Sequence, residues 1–225
     1  ATNINSSTIK ANSIRRIDAN NSNTGKSHRD SFMDFVSTLK SNSGTPAEKM
    51  FSQADAYMRR SLTKDGPWAN NPGGTAAENS EYLGCRRNYH IMMTDGRWNG
   101  TAHGVTDSNR RDNATNITLP DGTVYGGSTA AERAKTALYR DGHSGSTLAD
   151  WAFYSWGTAL QTGLTGAPEP TADYRKAPST ENFGKDSNNK DAILERFWNP
   201  RYNPATWPHM VTYTIGFSKM ATTWP

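Results

Sequence analysis

The sequence contains a single cysteine, Cys85, among 225 residues. One thiol cannot build an internal disulfide framework, so the chain is not a small disulfide-stapled domain. No apolar run approaches the ~18 residues that a membrane-spanning helix requires, and no signal-peptide pattern is visible. The chain opens at Ala1 without an initiator methionine, so we expect a processed piece or a fragment of a longer protein.

Long runs of one charge are also missing from the sequence. Lysine and arginine number 25 against 21 aspartate and glutamate residues, which gives a net charge of +4. The basic residues are scattered or occur in pairs, and an ordinary solvated surface explains them better than a nucleic-acid-binding face. We therefore expect no nucleic-acid partner and no membrane span.

What the sequence does contain is a moderate apolar fraction embedded in polar residues. Apolar residues make up 34% of the chain, and the mean hydropathy is −0.82. This composition allows a real core that is wrapped in long polar connections rich in serine, threonine, asparagine and glycine. The length predicts a single domain that occupies residues 1–225.

The spacing of apolar residues predicts an α/β fold. Helical periodicity predicts helices over 30–39, 47–62, 129–138 and 146–164. Helices of this kind that alternate with buried strands are typical of a mainly parallel sheet.

Two short apolar runs, 87–94 and 209–217, predict the buried strands of that sheet. Residues 1–20 predict one or two shorter strands. The segments 95–127 and 166–202 are long, polar and rich in turn residues, so they predict loop insertions. Loops of this length inside a compact domain are often functional.

A hydroxyl and a carboxylate are candidate metal ligands. Asp95 directly follows the predicted strand 87–94, and Thr45 directly precedes the predicted helix 47–62. We expect both positions to lie on loops at the same edge of a parallel sheet, where such folds bind ligands. Their oxygens suit Mg²⁺ or Ca²⁺. The plain alternatives are a helix N-cap for Thr45 and a tight turn for Asp95, and the residues alone leave both open.

Other chemistries find less support in the sequence. Cys85 and Ser144 have histidines elsewhere in the chain, but the residues around Ser144 do not match the GxSxG nucleophile elbow. Neither HExxH nor CxxC spacing is present, which argues against zinc. The acidic stretch 107–121 lacks calcium-loop spacing and is better explained as a solvated loop. Cys85 begins a predicted buried strand, so we expect an inert, buried thiol.

Four tryptophans fall in or beside the predicted loops. Aromatic side chains in loops stack on sugars, anchor a protein partner, or pin the loop to the body of the domain. We favour pinning. The four residues are Trp68, Trp98, Trp198 and Trp207.

Three longer motifs together carry a family resemblance. In chain order they are NYHIMMTDGRWNG at 88–100, STLADWAFYSW at 146–156 and NPATWPHMVTYTIGF at 203–217. With SGTP at 43–46 and GPW at 66–68, they resemble the von Willebrand factor A-like domain of the type IV pilus tip proteins. These form the PilY/PilC family of tip-associated adhesins. The resemblance covers nearly the whole chain.

The resemblance implies a fold, a place and a role. The fold would be a three-layer α/β/α sandwich of Rossmann-like type, with a mainly parallel central sheet and helices on both faces. The protein would be secreted through the periplasm and outer membrane to the pilus tip on the bacterial surface. There the family supports pilus biogenesis, twitching motility and adhesion, so the implied partners are minor pilins and ligands on host cells or abiotic surfaces.

The resemblance also implies a metal-ion-dependent adhesion site. In the family that site uses a DxSxS loop, a threonine loop and an aspartate loop. Thr45 matches the second loop and Asp95 the third, but no DxSxS occurs in this sequence. We expect the first strand and its DxSxS loop to lie upstream of Ala1, and we expect this chain alone to bind Mg²⁺ or Ca²⁺ weakly or not at all.

Three functional interpretations follow. The leading one is a non-enzymatic domain for adhesion and pilus assembly. The second, from another class, is a secreted hydrolase or carbohydrate-active protein that uses loop tryptophan and aspartate residues. The third is a structural tip domain whose metal site is vestigial.

Overall fold

A computed structural model of the chain describes residues 16–20, 24–38, 46–63, 66–71, 82–94, 103–185 and 189–217. The helices are α1 (His28–Thr38), α2 (Ala47–Met58), α3 (Ala130–Lys135), α4 (Leu148–Gly157) and α5 (Ala172–Lys176). The strands are β1 (Asn88–Thr94), β2 (Ile117–Thr118), β3 (Val124–Tyr125), β4 (Thr180–Lys185), β5 (Asp191–Glu195) and β6 (Met210–Gly216).

The two strands that the apolar runs predict pair with each other in parallel. β1 and β6 form a two-stranded sheet whose register runs from Asn88 opposite Met210 to Thr94 opposite Gly216. Their carboxyl ends therefore meet at one edge of the sheet. The other two sheets in the described part of the chain are antiparallel hairpins, β2–β3 and β4–β5. The chain mixes helices with a small parallel sheet, as an α/β fold requires.

One face of the parallel sheet is covered and the other is open. Met92 of β1 is buried, and the His90 ring beside it meets the Phe51 ring of α2 edge-on, with centroids 4.3 Å apart. On the opposite face the large apolar side chains are 45% to 66% exposed. The prediction that 87–94 is a fully buried strand is therefore wrong for this face. The open face carries Tyr89, Ile91, Met93, Tyr213 and Ile215.

Helix α4 is buried on two sides and contributes to two apolar clusters. It starts at Thr147, whose hydroxyl accepts the Asp150 N–H while the Asp150 side chain accepts the Thr147 N–H, which makes a capping box. Trp151 packs in one apolar cluster and Phe153 in another. The predicted helix 146–164 thus begins where expected, but it ends at Gly157.

The first cluster joins α2 and α4 to the start of β6. Its buried members are Phe51, Met58, Trp68, Val105, Trp151, Leu160 and Met210. The second cluster joins α4 to the two long predicted loops. Its buried members are Ile117, Leu119, Tyr125, Phe153, Trp198, Ala205 and Trp207.

The long segments predicted as loops contain short regular elements. The predicted turn at 120–122 closes the β2–β3 hairpin, and the Thr123 N–H donates to the Asp121 carboxylate at 2.9 Å. In the second long segment, α5 and the β4–β5 hairpin are additions that the sequence pattern did not predict. No helix among the described residues is long and apolar enough to cross a membrane.

Candidate metal site at the edge of the parallel sheet

The two candidate ligands, Thr45 and Asp95, lie outside the residues that the structure describes. The described chain resumes one residue after Thr45, at Pro46, and α2 follows from Ala47. On the other side, β1 ends at Thr94, one residue before Asp95. The predicted metal site therefore remains a prediction. The structure shows the framework beside it, which consists of the carboxyl edge of β1 and β6, the start of α2, and His103.

The framework begins with the carboxyl edge of the β1–β6 pair. Thr94 lies opposite Gly216, and its carbonyl accepts a 3.2 Å hydrogen bond from the Phe217 N–H. The two strands thus stay paired up to the edge from which the segment containing Asp95 departs. Open α/β sheets bind ligands outside such carboxyl ends, because the loops that follow the strands converge there.

The described chain resumes at His103, which is held between α2 and α4. The His103 N–H donates to a carboxylate oxygen of Glu48, in the first turn of α2, at 2.7 Å. The His103 carbonyl accepts from the Trp151 indole N–H of α4 at 2.6 Å. One direct hydrogen bond therefore ties the first turn of α2, near Thr45, to His103, where the described chain resumes after Asp95.

Two polar atoms on the covered face of the sheet are buried without a hydrogen-bond partner, although their side chains are only partly buried. His90 and Thr212 occupy the same register position on β1 and β6, and the His90 Nδ1 and Thr212 Oγ1 atoms are both unpartnered. Burial lowers the pKa of His90, because the imidazolium form would lose its hydration. The ring is therefore neutral near pH 7.

The donor set of the predicted site fits a hard cation only in part. A hydroxyl from Thr45 and a carboxylate from Asp95 are oxygen ligands of the type that Mg²⁺ and Ca²⁺ prefer, but such ions take roughly six to eight oxygens. Within the described ranges, no group of three or more histidine, cysteine, aspartate or glutamate side chains is arranged to hold a metal. These ranges therefore supply no further acidic cluster to complete the site.

A polar network that the sequence did not predict links the two helices beside this edge. The Asp55 carboxylate of α2 accepts from the Ser155 hydroxyl of α4 and from the Arg59 Nε–H, both at 2.8 Å. Arg59 also donates to the Ala159 carbonyl at 2.7 Å, and its guanidinium lies 4.4 Å from the centroid of the Tyr154 ring. A periodic apolar pattern gives no signal for such a contact.

The other candidate residues occupy ordinary structural positions, with two exceptions. Asp107 accepts from the Asn109 N–H, and Asp121 closes its own turn, as the solvated-loop interpretation predicts. Asp112 is fully buried, which that interpretation did not predict. Cys85 is an exposed free thiol in a turn before β1, so its predicted burial is wrong. The His143 ring accepts from the Gly145 N–H.

The pinning interpretation of the tryptophans is confirmed for three of the four. Trp68, Trp198 and Trp207 are each exposed by 5% or less. The Trp68 indole N–H donates to the Met58 carbonyl at 2.7 Å, and that of Trp207 donates to the Trp156 carbonyl at 2.6 Å. Trp98 lies outside the described residues. Buried indoles that bond to the backbone are unavailable to stack on a ligand.

Comparison with known proteins identifies relatives of the chain. No family model matches it, and no solved structure matches it significantly. The type IV pilus biogenesis factor PilY1 of Pseudomonas aeruginosa PAO1 is 36% identical over 191 residues, which is 84% of this chain and 14% of that protein. The PilY1 protein of strain PAK is 34% identical with the same coverage.

The PilY1 protein of strain UCBPP-PA14 is also 34% identical, over 193 residues, 85% of this chain and 13% of its own length. The chain thus spans only about one seventh of the length of these relatives. Over most of its own length, the chain is a homologue of one segment of the type IV pilus biogenesis factor PilY1.

Proposed function

We propose that the chain is part of a type IV pilus tip protein and acts there in pilus biogenesis, surface adhesion and twitching motility. The observation that carries this proposal is the 34–36% identity to PilY1 over 84–85% of the chain. The matched proteins are named as pilus biogenesis factors, so biogenesis is the best supported of the three roles. The proposed role is not enzymatic.

The proposed fold is a single three-layer α/β/α domain of the von Willebrand factor A type. The parallel pairing of β1 with β6 and the packing of α2 and α4 on one face support it. Parallel sheets are normally covered on both faces. The open face of β1 and β6 is the place that a second helix layer would occupy in this fold.

The proposed site is a metal-ion-dependent adhesion site at the carboxyl edge of the sheet. Thr45 and Asp95 would hold the cation with their hydroxyl and carboxylate oxygens, and the bound Mg²⁺ or Ca²⁺ would attract an acidic group of a partner. The carboxyl ends of β1 and β6 at one edge, and the bond from His103 to Glu48, support this location. The proposed partners are minor pilins and host-cell or abiotic surface ligands.

The test uses the full-length parent protein in the bacterium that makes it. Deletion of the segment equivalent to residues 1–225 should abolish surface pili and twitching. Asp95→Ala and Thr45→Ala should reduce adhesion and twitching, while Asp121→Ala, in an exposed turn of the β2–β3 hairpin, should not. Unchanged piliation, twitching and adhesion in the deletion strain would contradict the proposed function.

The outcomes also separate the two alternatives. If the deletion strain loses its pili but the Asp95→Ala, Thr45→Ala double variant keeps normal piliation and adhesion, the domain is structural and its metal site is vestigial. If the purified chain hydrolyses a polysaccharide or peptide substrate and Asp95→Ala abolishes that turnover, the hydrolase interpretation replaces the adhesion proposal.

A further inference from the structure

Two fully buried aspartates meet where residues 103–115 pack against the start of α4. Asp112 and Asp150 are each 0% exposed. The Asp112 N–H donates to Asp150 Oδ1 at 2.9 Å, and the Asp112 Oδ1 atom is buried beside it without a hydrogen-bond partner. The contact joins positions 38 residues apart in the chain.

The oxygen atoms of this cluster are almost all occupied by N–H or O–H donors. Asp150 accepts from the backbone N–H groups of Asp112 and Thr147. Asp141, next to them, accepts from the His143 N–H at 2.8 Å and from the Thr147 hydroxyl at 2.5 Å. Asp112 Oδ2 accepts from the Asp141 N–H at 3.2 Å, and Asp112 Oδ1 alone is buried without a partner.

The nearby arginines direct N–H groups at backbone carbonyls, and the Arg140 Nε–H is buried without a partner. Arg140 donates to the carbonyls of Asn113 and Ala114, and its guanidinium lies 5.3 Å from the centroid of the Tyr125 ring. Arg111 donates to the Val105 carbonyl. Neither of these two arginines, both among the described residues, forms an ion pair with Asp112.

The remaining titratable groups that face the cluster do not supply a cation either. Tyr125 on β3 donates its hydroxyl to the Asp112 carbonyl, and His143 directs a ring nitrogen at the Gly145 N–H. A hard cation would need several free oxygens, and the cluster offers one. A proton needs only that one oxygen on Asp112 and an acceptor on Asp150.

We propose that Asp112 is a buried proton-binding residue, and that its protonated carboxyl group donates to the Asp150 carboxylate and clamps residues 103–115 onto the first turn of α4. Loss of the proton leaves two adjacent buried carboxylates without a counter-ion, which opens this joint. The chain therefore carries a proton-sensitive contact that is separate from the sheet edge.

The expected pH dependence of stability follows from the direction in which burial shifts the pKa of Asp112. Burial, and then the charges of Asp150 and Asp141, raise the pKa of Asp112 to about 7. The folded chain then holds a proton that the unfolded chain releases near pH 4, so this contribution to stability is complete below pH ~4. It is lost as the pH rises to about 7, by up to tenfold in the folding equilibrium constant per pH unit.

The test is a carboxyl ¹³C NMR titration of the 225-residue chain, with urea unfolding measured between pH 4 and 8. One aspartate should titrate near neutral pH, and Asp112→Asn should remove that signal and flatten the fall in stability. The asparagine amide keeps both a donor and an acceptor in place. Asp121→Asn, which preserves its own turn contact, is the matched control and should leave both curves unchanged.

Three results would overturn the proposal. The first is a wild-type spectrum in which no aspartate titrates above pH ~5, which needs no variant to fold. The second is an Asp112→Asn chain with the wild-type pH dependence of unfolding. The third is full recovery of stability at pH 8 on addition of Ca²⁺ or Mg²⁺, abolished in Asp112→Asn, because a cation rather than a proton would then occupy the cluster.

Discussion

The Asp55 carboxylate accepts a 2.8 Å hydrogen bond from the Ser155 hydroxyl in the buried contact between α2 and α4. The same carboxylate holds Arg59, which in turn donates to the Ala159 carbonyl just beyond the end of α4. The buried Asp55 carboxylate thus joins the two helices and holds the Arg59 guanidinium at the carboxyl end of α4. A positive charge at this end of a helix interacts favourably with the helix dipole.

Replacement of Asp55 by alanine should therefore destabilise the chain strongly. Removal of one partner of a buried ion pair costs about 3–5 kcal/mol, because the remaining charge is left uncompensated. The measurement is urea unfolding. Glu195→Ala, which breaks the half-exposed pair with Lys135, is the control and should cost less than about 1 kcal/mol. Equal losses in the two variants would show that the Asp55 network is not structural.

The Trp68→Phe substitution should lower the free energy of unfolding by about 2 kcal/mol. It removes the indole N–H that donates to the Met58 carbonyl and leaves space in a site that is 1% exposed. Trp156→Phe is the matched control, because the Trp156 indole is only partly buried and its bond to Asn203 is 3.4 Å long. A larger loss at Trp156 would contradict the pinning role of Trp68.

Acid should destabilise the chain through His209. The Asn203 Oδ1 atom accepts from the Ala205 N–H, so its Nδ2 faces His209 Nε2 at 2.8 Å, while His209 Nδ1 donates to the Trp207 carbonyl. The ring is thus fixed as the neutral Nδ1–H tautomer, and burial lowers the pKa of His209.

The direction of this pH dependence follows from proton binding to the unfolded chain. The contribution of His209 to stability is complete above about pH 6.5 and is lost as the pH falls below that value, because the unfolded chain takes up the proton first. Nitrogen-15 NMR should show Nδ1 protonated at pH 7. Unfolding of His209→Gln should be less acid-sensitive than that of the wild type, with His143→Gln at an exposed position as the control.

The isolated chain should bind divalent cations weakly or not at all. In the proposed site Thr45 and Asp95 would supply two ligand side chains, whereas the DxSxS motif that would supply most of the other oxygens does not occur in this sequence. Isothermal titration with Mg²⁺ and Ca²⁺ should show no binding tighter than about 1 mM, with no change in Asp95→Ala. Micromolar binding that Asp95→Ala abolishes would show that this chain forms the site by itself.

Local signals in the sequence predicted the elements that depend on local chemistry. The strands β1 and β6 were recognised from compact apolar runs, and the start of α4 from its capping residue Thr147. The turn at 120–122 followed from proline, aspartate and glycine in succession. These features require only neighbouring residues, so a single sequence contains the information.

Features that depend on distant partners were not predicted. Asp112 lies in a polar stretch typical of a solvated loop, and its burial depends on Asp150, 38 positions later. The strands β4 and β5 have mixed polar sequences that give no clear periodic signal. The apolar run at 87–94 predicts burial of both faces of β1, because composition alone does not show which of the two faces is covered.

The pairing of β1 with β6 has a consequence for how the chain folds. Asn88 lies opposite Met210, 122 positions later in the sequence (210 minus 88). Contacts between such distant residues form slowly, because a long loop must close before the pair gains any stability. The pairing of β1 with β6 therefore cannot form during synthesis until β6 has emerged from the ribosome.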